Sequence, residues 1–416
     1  MRILDFIVKD NIGNPPWDYY FLKNLDKKEY PKYLAKLLYI HTGEKLPLKF
    51  DFSGRGYFST RRQGLGNWII DKKKCKTFNQ KIQWIKLHGI TDLMRKCTDK
   101  VAVRDYVAEK IGEEYLKPVL QVIPSLNCDC HVIARNNSTL GDEAIQKERS
   151  SRVDFSQPKQ DVSTYFDKID WENLPNSFVI KCNHGCKWHY IIKDKEAFLQ
   201  NKRLFDIVKR NITGWLEQDY SFWSGFEMQY KTAKLNHNVI ASKSTSFQDL
   251  RGNPADLKEQ NKSQSDCHVK QNAVVPRNDK YIDPKILIEP LLRNDINKNV
   301  EQVQVYCFLG IPKLILRFNE GMNKQTTLYD EKLNIIDDVF SMGDININKT
   351  ADDLINQSFD LSKKLSKDFM FVRVDWMIFN KKTYFEELTF TPYSGLKSNL
   401  NKKINILLGD CLKSKN

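Results

Sequence analysis

Two runs near the end of the chain alternate in character as strands do: Phe371-Val372-Arg373-Val374-Asp375 and Tyr384-Phe385-Glu386-Glu387-Leu388-Thr389, with Asn380-Lys381-Lys382 between them. Aromatic and β-branched residues at period two around a short polar connection predict a β-hairpin. A three-residue connection pairs Phe379 with Thr383, and counting back sets Asp375 opposite Glu387 and Arg373 opposite Thr389. Side chains alternate along a strand, so all four share one face.

Carboxylates directly opposed in an antiparallel pair repel unless something neutralises them. A divalent cation would do so, and Mg2+ favours hard oxygens, taking one or two carboxylates together with nucleotide phosphates. Arg373, on the same face as Asp375, is placed to neutralise phosphate charge as it develops. The bland alternative is a solvent-facing sheet surface with Arg373 as a salt-bridge partner, and spacing alone leaves both open.

Upstream, strands are predicted over 178–181, 190–193, 286–292, 303–308 and 313–318, and a helix over 351–365 with Leu354, Ser358, Leu361 and Leu365 on one stripe. Thr77 precedes a short helix bearing Phe78, Ile82, Ile85 and Leu87. Thr98-Asp99 offers an N-cap for another, with Val103, Tyr106, Val107 and Ile111 on one face and Lys100 and Arg104 in its first turns. A basic helix over 396–412 closes the chain. This mixture of helices with β hairpins predicts an α+β fold.

The segments 128–162 and 242–283 are rich in Asn, Ser, Gln, Lys and Asp with little periodicity, and are expected to be mobile insertions. They divide the chain into an N-terminal extension (1–70), a segment 71–127, a first insertion (128–162), a small subdomain (163–241), a second insertion (242–283) and a core subdomain (284–416) that carries the hairpin.

With 416 residues the chain is long enough for two or three subdomains. Its 66 basic and 52 acidic residues give a charge of +14, which suits an anionic partner but speaks to association, not fold. No nucleic-acid-binding module accompanies that charge, so nucleic acid is not expected as a partner. No uninterrupted apolar run reaches the roughly 18 residues of a membrane span, and the first ten residues are too charged for a signal peptide, so a cytoplasmic protein is expected. The nine cysteines, scattered mostly singly, read as reduced thiols. Cys128-Asp129-Cys130-His131 lacks the spacing and the second ligand pair of a zinc site.

A second informative stretch is Phe178-Val179-Ile180-Lys181, which runs into the turn Asn183-His184-Gly185-Cys186-Lys187-Trp188. Backbone amides in such a turn can cradle phosphate, with Lys181 adding charge. Equally, Lys181 reads as a solvated strand end and His184 as a turn cap. In Ile286-Leu287-Ile288-Glu289-Pro290-Leu291-Leu292, Glu289 sits at the rim of a buried strand or in the wall of an adenine pocket.

Together these residues resemble the TupA-like ATP-grasp family, tied to teichuronopeptide, capsule and other surface-polysaccharide biosynthesis. The similarity runs over residues 76–397 outside the two insertions. It rests on Thr77 to Trp84, Asp99 to Val107, Phe178 to Gly185, and Phe371 to Asp375 with Glu387-Leu388-Thr389-Phe390. The resemblance implies an ATP-grasp fold in which two α+β subdomains clasp ATP. Lys100 and Lys181 then look like phosphate-binding lysines, aided by His184 and Gly185, and Glu289, Leu291 and Leu292 like the adenine hinge. Asp375, Glu387 and Thr389 look like the Mg2+ site, and Arg373 like the group that steadies an acylphosphate. The implied activity is ATP-dependent ligation of a carboxylate on a glycan or its precursor to an amine. A degenerate nucleotide binder of the same fold and a glycosyltransferase are the alternatives. Three departures bear on this: the turn after His184 has lost a glycine, Gln304 stands where the pattern has lysine, and Thr389 stands where ATP-grasp proteins often have asparagine.

Overall fold

The structure is a computed structural model that describes residues 24–51, 67–123, 164–232, 281–292, 301–319, 326–336, 352–397 and 400–412. The first predicted insertion, the second up to residue 280, and Cys128 to His131 lie outside the described residues.

In chain order the helices are α1 (Tyr30–Thr42), α2 (Phe78–His88), α3 (Asp92–Thr98), α4 (Val103–Ile111), α5 (Lys195–Gln200), α6 (Lys202–Leu216), α7 (Tyr220–Trp223), α8 (Asp353–Ser366) and α9 (Lys402–Cys411). The strands are β1 (Leu48–Asp51), β2 (Asn67–Ile70), β3 (Gln121–Ile123), β4 (Phe178–Cys182), β5 (His189–Ile192), β6 (Ile286–Pro290), β7 (Glu301–Phe308), β8 (Ile311–Asn319), β9 (Thr326–Tyr329), β10 (Val372–Phe379) and β11 (Lys382–Thr389). The fold is α+β, as the sequence predicts: an antiparallel sheet ordered β11-β10-β7-β8-β9 and another ordered β3-β6-β4-β5, with β1 and β2 pairing separately.

Helix α8 covers one face of the five-stranded sheet. Asp352 caps its start, the carboxylate accepting from the Ile355 amide at 3.1 Å. Ser358, Ser362 and Ser366 are fully buried on the helix. Such small side chains let a helix lie close to a sheet, and Ser362 Oγ accepts from Trp376 Nε1 at 2.8 Å. Trp376 therefore points to α8, and with it Val372, Val374 and Ile378, while period two sends Arg373 and Asp375 to the opposite face.

The four-stranded sheet packs Phe178, Ile180 and Ile288 into an aromatic core with Phe166, Phe198 and Ile212 from the helices on one side. Alternation then turns Lys181 and Glu289 to the other face. Past the sheet, Thr232, which precedes the second predicted insertion, forms a parallel bridge with Ile282 near that segment's end.

Three expectations need correction. Helix α4 begins at Val103 with Ala102 at its N-cap position, so Lys100 precedes the helix, and Asp99 Oδ1 accepts from the Val101 and Ala102 amides before it starts. The hairpin connection is two residues, not three: Asn380 (φ 49°) and Lys381 (φ 58°) both adopt the left-handed conformation and Phe379 pairs with Lys382. Such a turn follows the right-handed twist of the strands, which a longer polar connection need not. A β-bulge then shifts the register between Asp375 and Trp376, so that Glu386 is the extra residue and Asp375 does face Glu387. The closing helix begins at Lys402 rather than near 396, capped by Asn401 Oδ1 accepting from the Lys403 amide at 2.8 Å. Tyr393, Ser394 and Gly395 (φ 52°, 55° and 64°) make a left-handed turn that keeps a helix from forming earlier.

Candidate active site

Arg373, Asp375, Glu387 and Thr389 lie on one face of the five-stranded sheet, with Arg373 opposite Thr389 and Asp375 opposite Glu387. The neighbouring strand β7 extends both rows, Tyr306 standing opposite Arg373 and Gln304 opposite Asp375. Arg373 grips Asp375 with two donors, Nε to Oδ1 at 2.6 Å and a terminal nitrogen to Oδ2 at 2.5 Å. The same terminal nitrogen donates to Thr389 Oγ1 at 3.1 Å and lies 3.7 Å from Glu387 Oε1. Thr389 in turn donates to Glu387 Oε1 at 2.9 Å. The two carboxyls respond oppositely to this shared setting. Burial lifts Asp375 to about 7 against the pull of Arg373. Burial also disfavours the Glu387 charge, but Lys100, Arg373 and Lys181 outweigh it and hold that carboxyl below its ordinary value.

The opposing sheet contributes cations. Glu289, 5% exposed, lies between Lys181 Nζ at 2.6 Å and Lys117 Nζ at 3.2 Å. Lys117 also pairs with Glu386, whose other oxygen is 4.0 Å from Lys181 Nζ. The bulge thus aims one carboxylate of the five-stranded sheet at Lys181 of the four-stranded sheet and at Lys117, which precedes β3. Burial disfavours the charge on both lysines, and only Lys117 recovers: its carboxylate partners raise it above the ordinary range. Lys181 stays below its ordinary value, Glu289 offsetting burial incompletely and Lys117 repelling it. Of the pair, Lys181 gains more from a further anion.

Lys100 also belongs to this group, its backbone amide donating to the Asn183 carbonyl at 3.1 Å and its ammonium to the Gly185 carbonyl. Gly185 packs so tightly on Trp188 that an added Cβ would sit 2.4 Å from the ring. His184 is fully buried, with Nδ1 3.1 Å from Asn183 Oδ1 and Nε2 3.1 Å from the Trp215 carbonyl. Burial holds it down to about 4, so at neutral pH the ring is uncharged and both nitrogens face protein oxygens. Leu291 and Leu292 leave the sheet just after β6, half-buried.

Sequence reasoning missed Lys117, Glu386 and the left-handed turn. The ring of Tyr393 lies against two cations, 5.7 Å from the Arg373 guanidinium carbon and 4.1 Å from Lys397 Nζ. Two consecutive non-glycine residues in this conformation are strained. Buried side chains hold them there: Gln83 Nε2 donates to the Ser394 and Gly395 carbonyls at 3.0 and 2.9 Å, and Thr391 donates to Glu227 at 2.7 Å. The signal available in the sequence was Gly395 after a Thr-Pro pair; the strain at Tyr393 had none.

Among the described residues no group of three or more His, Cys, Asp and Glu side chains is placed to hold a metal by itself. Mg2+ needs less protein than that when phosphates supply the rest. Asp375 and Glu387 give two hard oxygen donors, and the buried Gln304 Oε1, opposite Asp375, has no hydrogen-bond partner among the described residues. This donor set fits Mg2+. Among the described residues no helix is long and apolar enough to cross a membrane.

Residues 243–413 match the model of the TupA-like ATP-grasp family. That span includes β6 through α9 and so the whole acidic face, while Lys100, Lys117 and Lys181 lie outside it. No curated protein matches the chain. Among solved structures it is similar to the D-alanine-D-alanine ligase of Helicobacter pylori, with 11% identity and a TM-score of 0.32 over 81% of this chain and 69% of that one.

Proposed function

We propose that this chain is an ATP- and Mg2+-dependent carboxylate-amine ligase that acts through an acylphosphate on a surface glycan or its precursor. The observation that carries the reading is an acidic row on one sheet that meets two buried lysines, joined to it through Glu386: Lys181 on the other sheet and Lys117 just before it. A match to the TupA-like ATP-grasp model over the acidic half supports it. The glycan class rests on the sequence resemblance alone.

Bound Mg2+ would supply charge neutralisation between the carboxylates and the phosphates. Lys181, under-compensated where it stands, attracts a phosphate, and Lys100 braces the turn that borders it. Leu291 and Leu292, just past the strand end, offer an apolar wall for adenine, and Glu289 keeps both neighbouring lysines charged and in place. Arg373 lies beside Asp375 and Glu387, where charge would build on a transferring phosphoryl group. Positioning and charge neutralisation of this kind are what phosphoryl transfer asks of a protein. Asp375 can keep Arg373 on one lone pair of each oxygen and turn the others to a cation. His184 braces the turn without touching phosphate.

The test is a thermal-shift measurement with ATP, with and without Mg2+, on the intact protein and on Asp375→Ala/Glu387→Ala, followed by screening carboxylates and amines for ADP release. A Mg2+-dependent rise that the double variant loses supports the site; no rise in either protein refutes it. Nucleotide binding without turnover is the second reading. The full engagement of Asp375 by Arg373 favours it, and ATP binding with no ADP release for any pair would select it.

A further inference from the structure

Gln304 is 9% exposed, and among the described residues its side-chain oxygen has no hydrogen-bond partner. An orphaned acceptor in a protein interior is destabilising and asks for a water, an ion or a ligand. Its place in the sheet narrows that choice. Gln304 stands directly opposite Asp375, which stands directly opposite Glu387, so three oxygen-bearing side chains form one row across β7, β10 and β11. Opposed Cβ atoms in such a row lie about 5 Å apart.

On the other flank, the Thr389 hydroxyl is engaged by Arg373, Glu387 and Asp375. A neutral oxygen for a cation in this row therefore comes from β7 and not from β11. We propose that the Gln304 side-chain oxygen is a third hard-oxygen ligand, direct or through one water, for a divalent cation held by Asp375 and Glu387. This rests on the metal site of the preceding reading, not on its ligase chemistry. A neutral amide adds a donor without a third repelling carboxylate: two carboxylates already balance a +2 ion, and a third would turn the site negative toward the nucleotide phosphates.

The experiment is titration of the full-length protein with Mn2+, read by loss of the free-ion electron paramagnetic resonance signal, with and without a non-hydrolysable ATP analogue. Thermal midpoints in chelator are measured in parallel. Gln304→Leu is expected to weaken Mn2+ binding by roughly 10-fold while its metal-free midpoint stays level or rises, because the orphan is gone. Gln304→Glu is expected to bind Mn2+ more tightly and to have a lower metal-free midpoint. Gln302→Leu, two residues along β7 and opposite Met377, should bind as the parent does. Four results overturn the proposal: unchanged affinity in Gln304→Leu, a loss of affinity that comes with a lower metal-free midpoint, weaker binding by Gln304→Glu, or no Mn2+ uptake by the parent. If Asp375→Asn abolishes uptake and Gln304→Leu does not change it, this inference fails alone; if Asp375→Asn binds as the parent does, the metal site itself falls.

Discussion

Replacing Glu289 by glutamine tests whether the charges around it form a neutral buried unit. The carboxylate lies 2.6 Å from Lys181 Nζ and 3.2 Å from Lys117 Nζ. Burial alone would raise its pKa, yet the two lysines hold it at about 2 against an ordinary 4.5. That gap corresponds to roughly 3 kcal/mol favouring the charged form in the folded state. Removing one member of a buried ion pair costs a comparable 3–5 kcal/mol or so by the general experience of such pairs. A carboxylate with a depressed folded-state pKa contributes its stability above the unfolded value and loses it as pH falls toward the folded one. Urea unfolding followed by tryptophan fluorescence should therefore separate Glu289→Gln from the parent by about 3 kcal/mol at neutral pH. The difference should shrink between pH 4.5 and 2 as Glu289 takes up its proton. A gap under about 1 kcal/mol at neutral pH would mean that the lysines are solvated, as exposed pairs are. A gap that does not change with pH would mean that shape, not charge, is lost. Either result refutes the reasoning.

Other outcomes follow from single contacts. Gly185→Ala should lower stability by about 1–3 kcal/mol in thermal unfolding, because the new methyl group meets the Trp188 ring. Ser362→Ala leaves Trp376 Nε1 without its acceptor beneath α8 and should cost about 1–3 kcal/mol in urea unfolding, with nucleotide binding unchanged. Lys381→Gly removes a side chain from a left-handed position in the hairpin turn, and a rise of about 0.5–1 kcal/mol is expected in the same assay.

The acidic face was legible because strand alternation is a local property: once Asp375 and Glu387 fall on facing strands, their sharing a face needs no tertiary knowledge. The predicted pairing was right although the turn is shorter than read, since the bulge at Glu386 offsets the difference. The helix start at Thr77 was likewise legible, since its side chain caps the next turn. Lys117 was not legible, because its partners Glu289 and Glu386 lie far away in sequence on two different sheets. For His184 the sequence left turn cap and phosphate contact both open, and only the packing of α6 shows that the Trp215 carbonyl meets the ring. The left-handed turn at Tyr393 is stabilised by Gln83 and Glu227, residues that no local pattern connects to it.

The hairpin carries a consequence for how this stretch of chain can change over generations. Turn and bulge together fix which way every side chain of β11 points, and a slip of one residue exchanges the two faces of a strand. Inserting one residue between Lys382 and Phe385, with the bulge kept, would send Glu387 toward α8 and bring Leu388 to the face of Asp375. A single inserted or deleted codon in this arm therefore disarms the acidic face unless the bulge is lost or gained with it. Two inserted codons keep Glu387 on the same face but move it from Asp375 to a place opposite Arg373.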